Sequence, residues 1–227
     1  MRERPILFSA PMVRAILAGQ KTQTRRVVKP QPDHPAFSRR KMLALDDEGI
    51  DLYLHGGPLL PRAIRCPYGR DGNRLWVRES WSPDPPCDGT WGYTSWAGCR
   101  DGKIAGVPER FRHPAFCNYA ADWLHGPITW TPSIHMPRWA SRINLRITGV
   151  RVERLQDISA DDAKAEGISE FIGGWWCEHD DTPQIAGMTP QDGYRKLWER
   201  INGADSWAAN PWVWVVSFER DKEPGNG

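Results

Sequence analysis

The feature of this 227-residue sequence that most constrains its fold is an apolar run at residues 212–218, near the C-terminus. A continuous apolar run of this length predicts a strand buried on both faces, of the kind found at the centre of a barrel. Residues 143–152 alternate apolar and polar side chains around Gly149, which predicts a second, long and half-buried strand. Residues 75–81 follow an Asp71-Gly72-Asn73 turn and predict a third strand. The chain is therefore expected to be built around a sheet or barrel.

A short helix is predicted near the N-terminus. Ser9 is placed to cap it, Pro11 lies in its first turn and Gly19 is placed to end it. Residues 20–29 follow directly, and they are basic and rich in hydroxyl groups. This stretch is expected to leave the helix as a turn or a bulged strand.

Two further helices are predicted in the C-terminal third. One begins after Ser159, with Asp162 as its capping partner, and ends at Gly167. The other begins at Thr189-Pro190. Its buried stripe is predicted to hold Tyr194, Leu197, Trp198 and Ile201. Strands and helices together predict an α+β fold.

The length of the chain and the positions of its Pro- and Gly-rich stretches predict a single domain over residues 1–227 with a long insertion at about 82–132. The insertion is dense in Trp, Pro and Gly, and residues 30–74 are similarly poor in periodicity. A long insertion in a compact domain is more often a functional lid or binding loop than idle chain.

Composition excludes several classes of protein. No apolar run approaches the roughly 20 residues of a membrane helix, and the N-terminus lacks the pattern of a secretory signal, so the cytoplasm is the expected location. Five scattered cysteines without a C-x-x-C pair argue against a disulfide framework and a zinc ribbon. The pairs His113/Cys117 and Cys177/His179 match no standard metal site, and no metal or organic cofactor is predicted.

Charge is unevenly distributed along the chain. Residues 1–154 hold 24 Lys and Arg against 14 Asp and Glu, although the net charge of the whole is only +2. Arg142, just before the strand at 143–152, and Arg146 and Arg151 within it are expected to contribute to a basic surface that suits phosphate or nucleic acid. The alternative is that the basic and acidic halves neutralise each other in the folded molecule.

The helix and the basic stretch, Ile16-Leu17-Ala18-Gly19-Gln20-Lys21-Thr22-Gln23-Thr24-Arg25-Arg26, match the G-x-K-x-x-T-x-R signature of the ASCH family. The turn and strand from Gly72, the strand at 145–152, the helix at 159–166 and the final strand follow in the same order as in that family. The sequence thus resembles bacterial and phage-associated ASCH proteins over about half of its length. This resemblance implies a PUA-like mixed β-barrel with a few short flanking helices.

Small members of that family include amidohydrolases that cleave N4-acetylcytidine with a Lys, a Thr and a Glu. The resemblance places that catalytic set on Lys21, Thr24 and Glu166. It implies an amidohydrolase for N4-acylated cytosine nucleosides. The expected partner is a small-molecule nucleoside or nucleobase, and a monomer is favoured although the sequence does not set the oligomeric state. Other members bind or cut RNA, so a non-catalytic RNA- or DNA-binding module and a ribonuclease remain the alternatives.

The chemistry of amide hydrolysis sets conditions on these residues. Thr24 would supply the nucleophile or position a water, and Lys21 would act as a base if burial or nearby positive charge lowers its pKa. Glu166 would accept from the substrate amine or hold Lys21, and would return a proton to the leaving group. In a regular strand Lys21 and Thr24 point to opposite faces, so the segment must turn or bulge if both are to act on one substrate.

Six residues are predicted to bind the substrate. They are Arg26, Glu79, Trp81, His135, Arg138 and Trp139. Arg26 is interpreted as a phosphate or carbonyl clamp, and Glu79 either binds the exocyclic amine of the base or pairs with a neighbouring arginine. His135, Arg138 and Trp139 combine residue types that stack on bases and bind phosphate, although a packed strand entry would have the same sequence.

Overall fold

The structure is a computed structural model, and it describes residues 3–31, 44–46, 49–51, 65–84, 107, 109–124, 128–171, 173–178 and 187–221. The strands are β1 (Glu3–Leu7), β2 (Gln23–Val27), β3 (Ala44–Asp46), β4 (Gly49–Asp51), β5 (Arg74–Arg78), β6 (Trp81–Pro83), β7 (Cys117–Tyr119), β8 (Asn144–Arg154), β9 (Ile168–Phe171), β10 (Trp175–Glu178) and β11 (Trp212–Arg220). The α-helices are α1 (Ala10–Leu17), α2 (Ala160–Ala165) and α3 (Pro190–Asn202). The predicted α+β class is confirmed.

Five strands form the main sheet, in the order β1-β5-β8-β11-β2. β1 runs parallel to β5, and the other neighbours are antiparallel. β11 lies between β8 and β2, and its residues from Trp212 to Val216 are all buried. The apolar run therefore forms the interior strand that its pattern predicts.

The sheet is open rather than closed. β1 and β2 form its two edges, and no ladder of backbone hydrogen bonds joins them among the described residues. The guanidinium of Arg26 spans the gap, since its Nη2 donates to the carbonyl oxygen of Leu7 at 2.8 Å. The described strands therefore form an open sheet whose two edges are linked by a side chain, and the predicted PUA-like barrel is not confirmed.

The three predicted helices are present with their caps. α1 follows Ser9, and Gly19 after it has a φ of 74°. The backbone N–H of Asp162 donates to the Ser159 hydroxyl in α2, and that of Asp192 donates to the Thr189 hydroxyl in α3. Ser159 and Thr189 each satisfy a backbone N–H that the helix start leaves without a partner, whereas the Ser9 side chain makes no such bond.

One residue of the predicted buried stripe of α3 lies outside the core. Tyr194, Leu197 and Trp198 are buried, but Ile201 is 56% exposed. Ile201 lies in the last turn, beyond the part of α3 that covers the core, so its helical spacing was misleading.

Two groups of buried side chains pack the described residues. The larger joins α1, α2 and α3 to the main sheet. The smaller comprises Trp81, Tyr119, Met136 and Ala140, beside the ladder of β6 and β7. Of the predicted insertion, residues 82–84, 107, 109–124 and 128–132 are described, and they include β7.

Among the described residues, no helix has the length and apolar character to cross a membrane.

Candidate active site

The predicted catalytic residues Lys21 and Glu166 lie side by side. Lys21 precedes β2, Glu166 caps the C-terminus of α2, and the two residues form an isolated antiparallel bridge. The Lys21 N–H donates to Ala15 of α1, which fixes the turn between α1 and β2. Lys21 therefore lies in a turn before β2 and not within the strand, in agreement with the turn predicted for the basic stretch.

The Lys21 amine contacts Glu166 twice. Its Nζ lies 2.8 Å from Oε2 of Glu166 and 2.7 Å from the backbone oxygen of the same residue. Lys21 is only 2% exposed and Glu166 only 4%. An ammonium group has three N–H donors, so two of them are used within this pair.

Arg25 holds the other side of the carboxylate. Its Nη1 lies 3.2 Å from Oε1 of Glu166, and its Nη2 contacts Glu153 and Asp162. Its side chain is fully enclosed. Glu166 is therefore held between the side chains of two buried basic residues, Lys21 and Arg25.

The environment lowers the pKa of Lys21 from its ordinary value of 10.5. Burial is the main cause, because it penalises the charged amine. The Glu166 carboxylate opposes the shift and the charge of Arg26 adds to it. A lowered pKa is the direction of shift that a lysine base requires.

Thr24 lies within β2, opposite Val216 of β11, and is 1% exposed. Its hydroxyl has no hydrogen-bond partner among the described residues. A buried hydroxyl without a partner costs about 1–3 kcal/mol, so it is unusual in a fold. Thr24 brings unused hydrogen-bonding capacity to the strand that carries Arg25.

A cavity of about 450 Å³ lies against this cluster. Its lining includes Glu166, Arg25 and Arg26, the apolar residues Leu7, Met12, Val27, Leu197 and Ile201, and the aromatic residues Phe8, Tyr194 and Trp198. The lining thus combines three charged residues with a majority of apolar and aromatic ones. Lys21 and Thr24 do not belong to this lining, and Lys21 reaches the cavity only through Glu166.

Phe8 lines the cavity, and its ring contacts both Lys21 and Arg26. The Lys21 amine lies 5.7 Å from the centre of the Phe8 ring, and the Arg26 guanidinium lies 5.4 Å from it. Arg26 also donates to the carbonyl oxygens of Leu7 and Arg25. Arg26 is therefore at the cavity, as predicted, but its two Nη atoms bind the backbone.

Glu79 and Trp81 do not line the cavity. Glu79 is 1% exposed and pairs with Arg142 through both carboxylate oxygens, at 2.9 and 3.1 Å. This is the alternative that the sequence left open for Glu79. Trp81 is fully buried in the smaller core group, with Trp139 packed edge-on against it, so neither of its faces is open to a base.

The predicted rim at 133–142 contributes less than expected. Of this segment only Ser133 lines the cavity. Arg138 pairs with Glu3, Trp139 packs on Trp81, and His135 is exposed. The segment is a packed strand entry, the other interpretation that its residue types allowed.

The predicted basic surface along β8 is neutralised. Arg142 pairs with Glu79 and Asp122, Arg146 with Glu219, and Arg151 with Glu153 and Asp162. Glu79 and Glu219 are far from their arginines in the sequence, whereas Glu153 lies two residues from Arg151. A count of charges along the sequence does not show which of them the fold pairs, so it overstates the charge of this face.

Arg25, Phe8, Tyr194 and Trp198 were not assigned to a site from the sequence. Arg25 stands next to the signature residues and was interpreted only as a source of positive charge. Tyr194 and Trp198 were interpreted as core residues of α3, and they do pack there while facing the cavity. Their spacing alone does not distinguish the two roles.

No group of three or more His, Cys, Asp or Glu side chains suited to a metal is found among the described residues. His113 accepts a hydrogen bond from the backbone N–H of Ala115, and His179 lies outside the described residues.

No family model, curated protein or solved structure matches the chain. The resemblance to ASCH proteins therefore stays a prediction from the signature and the order of elements in the sequence.

Proposed function

We propose that this protein is an amidohydrolase that removes the acyl group from N4-acylated cytosine nucleosides, on a PUA-like fold of the ASCH type. The observation that carries the proposal is the buried Lys21–Glu166 pair, with Glu166 at the wall of a cavity of about 450 Å³. Burying two charges is costly, and groups with shifted pKa values beside a cavity are typical of active sites.

The cavity suits a small molecule with a flat ring. Its volume is within the usual range of small-molecule pockets, about 300–1,000 Å³. Phe8, Tyr194 and Trp198 offer aromatic surface for a base, and the apolar residues offer space for an acyl chain. The charged residues of the lining would then face the amide bond.

Glu166 is the group that links the substrate to Lys21. A water attacks the acyl carbon and loses a proton to Glu166, which passes it to the uncharged Lys21 amine across their 2.8 Å hydrogen bond. The proton returns to N4 of the base as the C–N bond breaks. The products are the free cytosine nucleoside and a carboxylic acid.

Thr24 belongs to the proposed set through the resemblance and through its unpaired hydroxyl. We assign it the positioning of the reacting groups rather than the attack itself, because the hydroxyl is enclosed and lies outside the cavity lining.

The alternative, a non-catalytic RNA- or DNA-binding module, receives less support. Such a protein needs free cations along its surface, whereas Arg138, Arg142, Arg146 and Arg151 are all paired with carboxylates.

The proposal is tested by incubating the protein with N4-acetylcytidine and longer N4-acyl analogues, and measuring cytidine by chromatography. Glu166→Gln should lower kcat by about 10²–10⁴-fold, the usual contribution of a general acid or base. Glu170→Gln is the matched control, because Glu170 lies nearby on β9 and is exposed. It should leave kcat unchanged.

If no cytidine is released from any substrate of the panel and the protein binds RNA or DNA tightly, the proposal is wrong and the protein is a non-catalytic nucleic-acid-binding module. Salt separates the two further. Turnover of an uncharged nucleoside should barely change between 50 and 200 mM salt, whereas a protein with 6–10 phosphate contacts loses about 10³–10⁵-fold in affinity.

A further inference from the structure

Tyr194 lines the same cavity as Glu166, and its ring is held firmly in place. It is 3% exposed. Trp198 and Trp207 pack against the ring at centre-to-centre distances of 6.2 and 6.4 Å, and the Arg25 guanidinium lies 5.7 Å from its centre. A ring fixed on three sides presents its hydroxyl in one direction.

The Tyr194 hydroxyl makes no hydrogen bond to any described residue. Tyr119, the comparable buried tyrosine, donates to the backbone oxygen of Ala140 at 2.8 Å. Buried phenol groups usually find such a partner. A hydroxyl without one, on a residue that lines a cavity, is suited to a ligand.

Tyr194 shares the cavity lining with Glu166, Arg25 and Arg26, and its hydroxyl stays protonated there. Burial raises its pKa well above 10, and the charge of Glu166 raises it further, while Arg25 and Arg26 oppose the shift. Arg25, which lies against the Tyr194 ring, also binds the Glu166 carboxylate, so the ring and the carboxylate share one neighbour at the cavity wall. A phenol that keeps its proton is a neutral hydrogen-bond donor at every working pH.

Amide hydrolysis needs such a donor, because negative charge develops on the carbonyl oxygen when the acyl carbon is attacked. The charged donors at the wall are engaged: Arg25 with carboxylates and Arg26 with the backbone oxygens of Arg25 and Leu7. Ser9, Ser80 and Ser133 also line the cavity, but they are exposed or half-buried, where water competes for the same bond.

We propose that the Tyr194 hydroxyl donates the hydrogen bond that stabilises the acyl carbonyl oxygen as it becomes negatively charged. This inference rests on the proposed amidohydrolase function. It adds a donor from α3 to a site whose other members come from the α1–β2 turn and from the end of α2.

The test is Tyr194→Phe, which removes only the hydroxyl. We expect kcat for N4-acetylcytidine to fall by about 10²–10³-fold, the usual effect of losing one such donor. KM should change by less than about threefold and Tm should stay the same, because the hydroxyl makes no bond within the described fold. Tyr119→Phe is the matched control: it should lower Tm through the lost bond to Ala140 and leave kcat unchanged.

Two results would overturn the inference, and they are distinguishable. If the unaltered protein releases cytidine and Tyr194→Phe retains its kcat, or changes only KM, then hydrolysis stands and Tyr194 is not the donor. If the unaltered protein releases no cytidine from any N4-acyl substrate, both the function and the role of Tyr194 fall together.

Discussion

At the scale of single residues, the unusual feature is an amine and a carboxylate that share an almost completely buried position. Removing two such ions from water costs several kcal/mol for each. Lys21 and Glu166 recover part of this cost through their mutual hydrogen bond and through Arg25. The penalty that remains falls on the charged form of Lys21, and it lowers the pKa of that amine. Lys21 is therefore easier to deprotonate than an exposed lysine.

The first prediction concerns the pH dependence of kcat/KM. If uncharged Lys21 receives the proton, kcat/KM should rise tenfold per pH unit on the acid side and level off at a pH below 10.5, because the pKa of Lys21 is lowered by burial. The measurement is a kcat/KM profile for N4-acetylcytidine from pH 5 to pH 10. A flat profile over this range would remove Lys21 from the reaction.

The second prediction separates the two effects of the Thr24 hydroxyl. Thr24→Val keeps the shape of the side chain and removes a buried group that has no partner among the described residues. We expect an unchanged or higher Tm, since no bond is lost, together with a fall in kcat of at least tenfold. Differential scanning calorimetry and steady-state kinetics measure the two quantities. An unchanged kcat would show that the hydroxyl takes no part.

At the scale of elements, the site depends on how α2 ends against α1. Gly167 follows Glu166 with a φ of 95°, a backbone conformation that favours glycine. A Cβ at this position would lie 3.3 Å from the Cβ atoms of both Ala15 and Lys21. The turn thus lets α2 approach α1 closely enough for the Lys21–Glu166 bridge to form.

The third prediction is that Gly167→Ala weakens both the fold and the site. Backbone strain should lower the free energy of unfolding by about 1–3 kcal/mol, and displacement of Lys21 should lower kcat. Urea denaturation and kinetics measure the two effects. Gly72→Ala is the control, because Gly72 also has a positive φ, of 77°, but has nothing within 4 Å of an added Cβ.

Gly72→Ala should therefore lose stability through backbone strain alone and retain its kcat. Equal losses of kcat in both variants would mean that close packing at Gly167 does not hold the pair together.

At the scale of the whole molecule, the sequence predicts what depends on neighbours along the chain. The caps at Ser159 and Thr189 and the buried strand at 212–218 follow from local rules, and all are present. The meeting of Lys21 with Glu166, 145 positions apart, was anticipated only through the ASCH resemblance.

What the sequence did not predict are the partners that the fold supplies from a distance. Arg142 has Glu79 and Asp122 as partners, Arg138 has Glu3, and β1 and β2 are linked by a side chain rather than by a ladder. Each of these depends on the path of the whole chain. The residue types and charges in the sequence therefore did not predict which basic side chains are left accessible on the folded surface.

The most direct test of the account is the crystal structure of the Glu166→Gln variant soaked with N4-acetylcytidine. Since the variant should bind the substrate without turning it over, the account predicts the base in the cavity between Phe8 and Trp198. Its N4 should lie within about 3 Å of the side chain at position 166. A nucleoside bound elsewhere, or an empty cavity at saturating concentration, would contradict the account.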